Sequence, residues 1–469
     1  MLNVAKLRLK GKDLRKIGYP ESVVVGLAID VANRHYKHLK KEKVIAILEK
    51  VVKQPKAYLE DEILGKIANS LVPKEVEPKN LIKLENEPKD FNVFGGEYIQ
   101  PSAITQMENA MRLPVTEAGA LMPDAHHGYG LPIGGVLATR NAIIPYGVGV
   151  DIGCRMALTV YDLKETYLER NKFELKKALT EWTCFGMGKE LPFTQNHDVL
   201  DRNEFNVIPL LKNLKNKARK QLGSSGSGNH FVEFGLVDLV ENNRLDIPAG
   251  KYLAILTHSG SRGLGATIAN HYTKLAMEKC HLPKEVRHLA WLDLDSEAGQ
   301  EYWLAMNLAG DYASACHDRI HINLAKALGI KPIAKVENHH NFAWKETHNG
   351  EELMVHRKGA TPAGKGVLGI IPGSMTAPGF IVSGKGETAS LNSASHGAGR
   401  QMSRTKAKNS ITRSALNKML KESGIELIGG GLDEAPNAYK DINQVMANQK
   451  ALVNIEGKFY PKIVRMDKN

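Results

Sequence analysis

The sequence predicts an α+β fold: a single large domain with central β-structure and glycine-rich loops, preceded by a small helical N-terminal module. Three observations carry this. Residues 20 to 72 repeat apolar side chains at helical spacing, as in ESVVVGLAIDVANRHYKHL. Beyond about residue 91, short β-rich runs such as GKYLAILT and GFIVSG alternate with glycine clusters. A few long helical stretches interrupt them, the clearest over residues 296 to 327, opening on Ser296 as an N-cap. With 469 residues, 42% of them hydrophobic and 24% charged, the chain can bury one large core or two moderate ones.

Taken in order, the module of residues 1–72 adds two further helical patterns, KEKVIAILEKVVKQ and AYLEDEILGKIANSL. VPKEVEPKNLIKLENEPKD breaks the periodicity with three prolines and many charges, and residues 73–90 read as a linker. Residues 91–469 form the body, where loops carry function. The formal charge of +12 is concentrated at the start: residues 1–72 hold 15 Lys and Arg against 8 Asp and Glu, a difference of +7. Such a bias suits a polyanionic partner, and equally a solvated helical surface. Cys154, Cys184, Cys280 and Cys316 form no CxxC pair, which argues against a disulfide frame or zinc ribbon. No run of about 18 apolar residues and no secretory leader pattern is present, so a cytoplasmic, non-membrane protein is expected.

Several glycine-rich loops hold metal-ligand chemistry. VGVDIGCRM offers Asp151 and Cys154, a hard and soft pair suited to a divalent transition metal. Taken alone, that pair is more commonly a buried structural cysteine beside a solvated aspartate. GSSGSGNHFVEFG adds Asn229, His230 and Glu233; LAILTHSGSRGLG adds His258 and Arg262 where a strand turns into a helix; VENHHNF adds His339 and His340. Adjacent residues of an extended segment point to opposite sides, so only one of that histidine pair can serve. In MPDAHHGYGLPIGG, Asp124, His126 and His127 read as substrate-facing or structural. Asp151, Cys154, His230, His258 and His340 are too many for one tetrahedral ion and suit two neighbouring ions. That leaves His396 in SASHGAGRQMSRTKAK, among small residues with Arg400, Arg404, Lys406 and Lys408 behind it. A neutral imidazole there is a competent nucleophile toward a phosphoryl group.

The ordered set VGVDIGCRM, SGSGNHFVE, THSGSRG, HHN, HRKGA, IPGSM, SHGAGRQMSRTKA and APNAYKDI closely resembles the RtcB family of RNA-splicing ligases, from about residue 91 to the C-terminus. The resemblance implies a ligase that joins an RNA 3′-phosphate or 2′,3′-cyclic phosphate end to a 5′-hydroxyl end with GTP and two Mn2+ ions. It implies that His396 attacks GTP to form a histidyl-GMP, that GMP then activates the RNA 3′-phosphate, and that Cys154 bridges the two ions. It assigns Asn229 to the GTP phosphates and Glu233, Ser374 and Tyr439 to the guanine. Gly397, Ala398 and Gly399 beside the nucleophile, and Lys468 near the C-terminus, join the nucleotide contacts; Gly379 stands where the family often has serine. Arg262, Lys358, Arg400 and Arg404 become candidates for RNA or GTP phosphates. The physiological role would be tRNA splicing or RNA repair, with an activating helper protein of the archease kind as a further partner. The competing function is a binuclear phosphatase or cyclic phosphodiesterase acting on RNA ends, which would need the metal ligands but not His396, Glu233 or Tyr439.

Overall fold

Ser22 opens the first long helix, Val23–His35, by accepting a hydrogen bond from the Val24 N–H. That helix, Lys41–Lys53 and the shorter Gly65–Leu71 bury Val24, Ala28, Val44, Leu48, Val51 and Ile67 against one another in a core of their own. The third helical pattern is shorter than its sequence predicts. Asp61 accepts hydrogen bonds from the N–H groups of Ile63 and Leu64, and this turn divides AYLEDEILGKIANSL into a 3-10 turn, Pro55–Tyr58, and the helix Gly65–Leu71. The structure, a computed structural model, describes residues 9–72 and 81–468 and divides into two compact units, residues 1–80 and 81–469. Part of the expected linker therefore lies outside the described residues. Its remainder, residues 81–90, is held on the larger unit: Ile82 donates to the His281 carbonyl, and Ile82 and Leu84 pack on the main core.

The larger unit is built on an eight-stranded sheet. Its path runs Leu368–Ile371, Gly379–Gly384, Val453–Met466, Phe231–Leu239, Gly250–Ser259, Arg155–Tyr161, Pro332–His339, with Glu426–Ile428 pairing Val453–Met466 off the path. The sheet curls until its two edges meet: the Asn338 side chain donates to the Ile370 carbonyl and accepts from the Ile370 N–H, at 3.2 and 2.8 Å. Alternation along each strand separates two cores. Met156, Leu158, Val160, Leu256, Ile370 and Phe459 fill the inside, while Tyr161, Phe234, Leu253 and Ile255 face the helices Lys172–Trp182 and Glu297–Leu328. The latter helix opens on Ser296, which accepts from the Gly299 N–H, and ends on left-handed Gly329. A second sheet of five strands, Asn92–Val93, Thr116–His126, Ile133–Thr139, Glu351–Lys358 and Asn341–His348, carries the remaining loops. Among the described residues no helix is long and apolar enough to cross a membrane.

Candidate functional site

Four adjacent strands of the curled sheet run antiparallel, so the start of one lies beside the end of the next. Arg155 is paired with both Ser259 and His339, and Phe231 with His258. Asp151 and Cys154 precede the first of these strands, His230 precedes another, His258 ends the third, and His340 follows the fourth. One rim of the sheet thus gathers side chains far apart in sequence.

The donors converge in two groups that share one atom. Cys154 lies with His258 and His340 in one, and with Asp151 and His230 in the other. Cys154 Sγ is 3.2 Å from His258 Nε2 and 3.4 Å from His230 Nε2; His258 Nε2 is 3.2 Å from His340 Nε2; His230 Nε2 is 2.9 Å from Asp151 Oδ2. His258 places its Nδ1 2.9 Å from the Asn229 carbonyl, which fixes that nitrogen as the donor and turns the Nε2 lone pair inward. Burial holds His258 down to about 3, and holds His340 well below the ordinary imidazole value. Neutral imidazoles facing one another through lone pairs repel unless a cation lies between them. Burial, with Asp151 beside it, pushes the Cys154 thiol well up, so a bound cation would have to draw its proton off. Burial also pushes the Asp151 carboxyl up, but the His230 contact outweighs it and the net shift is downward. Two glycines make room: a Cβ on Gly260 would lie 2.0 Å from Asp151 Oδ1, and Gly153 turns at φ +68° where a Cβ would meet Gly310 Cα at 2.7 Å. The donor set fits two divalent ions sharing a thiolate.

His396 follows the short strand Ser393–Ser395 and sits with its ring centroid 5.0 Å from that of His340. Its Nδ1 is 2.6 Å from Asp124 Oδ2, and the N–H groups of His396 and Gly397 donate to the same oxygen at 3.2 and 3.3 Å. Asp124 is fully buried. Burial pushes its carboxyl up, yet the charge and hydrogen bond of His396, with Lys440 further off, bring it below the usual range. An ionised Asp124 makes Nδ1 the protonated nitrogen and leaves Nε2 as a lone pair.

A cleft of about 310 Å³ joins the two clusters. Asn229, Glu233, Ser374, Gly379, Gly397, Ala398, Gly399, Arg400, Arg404 and Tyr439 line it together with His258, His340 and His396. Glu233 is buried, and burial alone raises its carboxyl well above the ordinary value. The Arg400 guanidinium lies 5.2 Å from the centre of the Tyr439 ring, whose hydroxyl donates to Glu434. Arg400 and Arg404 both pair with the buried Glu434, and Arg404 also with Asp433 at 3.0 Å.

The expected phosphate residues separate here. Arg262 turns its guanidinium to Ser224 Oγ and the Gly186 carbonyl, at 3.1 and 2.8 Å, instead of into the cleft. Lys358 is buried with its ammonium on the Tyr129 and Tyr146 carbonyls, and burial brings it down to about 7. Lys468 is exposed and does not line the cleft, although Met466 does. His339 stacks on Trp344 on the other side of its strand from His340. His127 is exposed.

Sequence reasoning missed Asp124 as the partner of His396, the acidic pair Asp433 and Glu434, and the apolar walls Phe231, Met375 and Val464. The signal for Glu434 was its place directly before APNAYKDI.

The family model described as tRNA-splicing ligase RtcB matches residues 106–466. The chain belongs to the RtcB family. Among curated members, it is 34% identical over 418 residues to the RNA-splicing ligase RtcB of Escherichia coli K12, covering 80% of this chain and 96% of that protein. It is 31% identical over 436 residues to the tRNA-splicing ligase RtcB of Nanoarchaeum equitans, covering 77% and 91%. It is 32% identical over 426 residues to the RNA-splicing ligase RtcB homolog 1 of Entamoeba dispar, covering 75% and 79%. The RtcB match begins within the larger unit and leaves the N-terminal unit outside it.

Proposed function

We propose that this RtcB-family chain, an RNA ligase, joins 3′-phosphate or 2′,3′-cyclic phosphate ends to 5′-hydroxyl ends through a GMP carried on His396. The observation that carries the reading is the pairing of buried Asp124 with His396, whose ring opens into the same cleft as the shared-thiolate donor cluster. A phosphatase would use the donors but has no need of an oriented imidazole beside them.

Asp151, Cys154, His230, His258 and His340 would hold the ions, two Mn2+ in this reading, which when bound polarise phosphoryl oxygens and neutralise their charge. The rest falls to the chain. Glu233 meets the N1–H and N2–H₂ donors of guanine with a carboxylate whose ionised form those donors favour. Ser374 and Tyr439 hold the base, the latter by its ring face, while Asn229 and the Gly397–Gly399 backbone border the phosphates. Nε2 of His396 attacks the α-phosphorus; a P–N bond forms and pyrophosphate leaves. Asp124 keeps the Nδ1 proton in place and offsets the positive charge that the ring acquires. An oxygen of the RNA 3′-phosphate then displaces His396 from phosphorus, and the 5′-hydroxyl attacks the activated 3′-phosphate to release GMP. A cyclic phosphate is first opened by water. Arg404, half exposed at the cleft mouth, is the candidate for the RNA phosphates. The basic N-terminal module adds non-specific RNA affinity; deleting residues 1–80 should weaken RNA binding and its salt dependence while leaving guanylylation intact. We place the activity in the cytoplasm.

The test is intact mass after incubating manganese-loaded protein with GTP alone, beside His396→Ala. A gain of one GMP on the wild type only, stable to base and labile to acid, is expected. Absence of the adduct in metal-replete protein, with release of phosphate from RNA ends, would favour the phosphatase instead.

A further inference from the structure

A second recess, of about 520 Å³, shares no lining residue with the cleft. Trp182, the last residue of the helix Lys172–Trp182, and Phe193 form its aromatic side, their ring centroids 5.4 Å apart and tilted by 57°. The helix Glu297–Leu328 forms the other side with Arg319, Asn323 and Lys326, whose spacing of four and three puts them on one face.

The polar groups here have unmet valences. Gln195 is only 7% exposed, yet its Nε2 has no hydrogen-bond partner, and neither has Arg319 Nε nor Asn323 Nδ2, both atoms being buried. Buried donors without acceptors are rare in folded proteins, and three on side chains lining one recess would gain acceptors from a ligand there once those side chains turn toward it. Rotating either amide exchanges a donor for an acceptor and leaves the need the same. Aromatic faces, amide edges and a guanidinium with a lysine at the rim match three parts of one ligand: a base to stack, a base edge that both donates and accepts, and a phosphate.

The recess is also tied to the reactive end. A Cβ on Gly223 would lie 2.9 Å from Arg319 Cβ and 3.3 Å from Gln195 Cγ, so the loop starting at Gly223 packs directly on it. The Ser225 N–H donates to the Cys184 carbonyl at 2.7 Å. This loop runs on to Asn229 and His230, and the seven Cα-to-Cα steps from Gly223 to His230 span at most roughly 25 Å. A single strand a few nucleotides long covers that distance.

We propose that this recess holds an unpaired nucleotide of the RNA strand, a few positions from the end being joined. The proposal rests on the ligase reading. Its test uses the full chain and labelled single-stranded oligoribonucleotides with a 3′-phosphate, from about two to about ten nucleotides long, read by anisotropy. Arg319→Met with Asn323→Leu removes the polar side, and Trp182→Phe, which keeps an aromatic ring at that position, checks the aromatic side independently. The Kd of the longer strands should rise about five- to tenfold in the polar variant, and less in Trp182→Phe, a dinucleotide being unaffected. Guanylylation by GTP alone should not change. Wild-type-like affinity at every length in both variants overturns the proposal. So does uridine monophosphate that quenches Trp182 fluorescence without competing with the strand, which would make this a free-nucleotide site. If the wild type takes up no GMP while the length dependence holds, the ligase reading fails and the strand site stands.

Discussion

Asp124→Asn isolates one charge at the candidate nucleophile. Two backbone N–H groups, of His396 and Gly397, hold Oδ2 in place, so the asparagine carbonyl must take that position and its NH₂ the position of Oδ1. Oδ1 is buried and has no partner, so the new NH₂ gains none. The carbonyl still accepts from Nδ1, and the ring keeps its tautomer and orientation. What is lost is the negative charge 2.6 Å from an imidazole that, in the proposed reaction, becomes cationic as phosphorus is attacked. Exchanging a hydrogen bond to a charged acceptor, about 1.5–3 kcal/mol, for one to a neutral acceptor, about 0.5–1.5 kcal/mol, loses roughly 1–1.5 kcal/mol, which converts to a guanylylation rate roughly 5- to 13-fold slower. The assay is single-turnover transfer of radiolabelled GMP to the protein at saturating GTP, with thermal melting as a check on folding. A rate within threefold of wild type in a folded variant would refute the role given to Asp124.

Three further outcomes are expected. Cys154→Ser replaces the atom common to both donor groups, so bound manganese measured by mass spectrometry of the metal should fall for both ions, whereas Asp151→Asn should spare one. Gly379→Ser fits, since a Cβ there lies 3.4 Å from Pro372 Cα, and one added neutral hydrogen bond should raise the preference for GTP over ATP roughly 2- to 10-fold in a competition assay. Lys358 has its folded value pulled down by burial from 10.5 to about 7, so between those values the unfolded chain carries a proton that the folded one lacks. Stability should therefore rise with pH across that window and fall as pH drops toward 7, and in Lys358→Met the melting temperature should lose this slope.

The α+β character is legible because strand and helix periods differ, and Ser296 marks the long helix as its hydroxyl requires. The break in the third N-terminal helix is not, because apolar spacing continues through it. It is made by Asp61 capping two N–H groups and by Gly65, where a Cβ would come within 2.9 Å of the Leu59 carbonyl. Local competition of that kind leaves periodicity untouched.

At the site, the residue types are legible and the partnerships are not. His258 and His340 stand out because each lies where a strand gives way to a turn with glycine or asparagine, but that they face each other follows from Arg155 pairing with both neighbouring strands. No spacing within the sequence encodes that order. The cations show the converse. Arg262, Lys358, Arg400 and Arg404 look alike as charges near phosphate-binding motifs, and what separates them is the acceptor each meets: backbone carbonyls for Lys358, a serine and a carbonyl for Arg262, and buried carboxylates for Arg400 and Arg404. A cation already neutralised by Glu434 does not attract phosphate as a free one would, so Arg400 and Arg404 act on an incoming strand only with Asp433 and Glu434 counted beside them. Those two acids, which composition alone would set against RNA binding, are what hold the arginines at the mouth of the cleft.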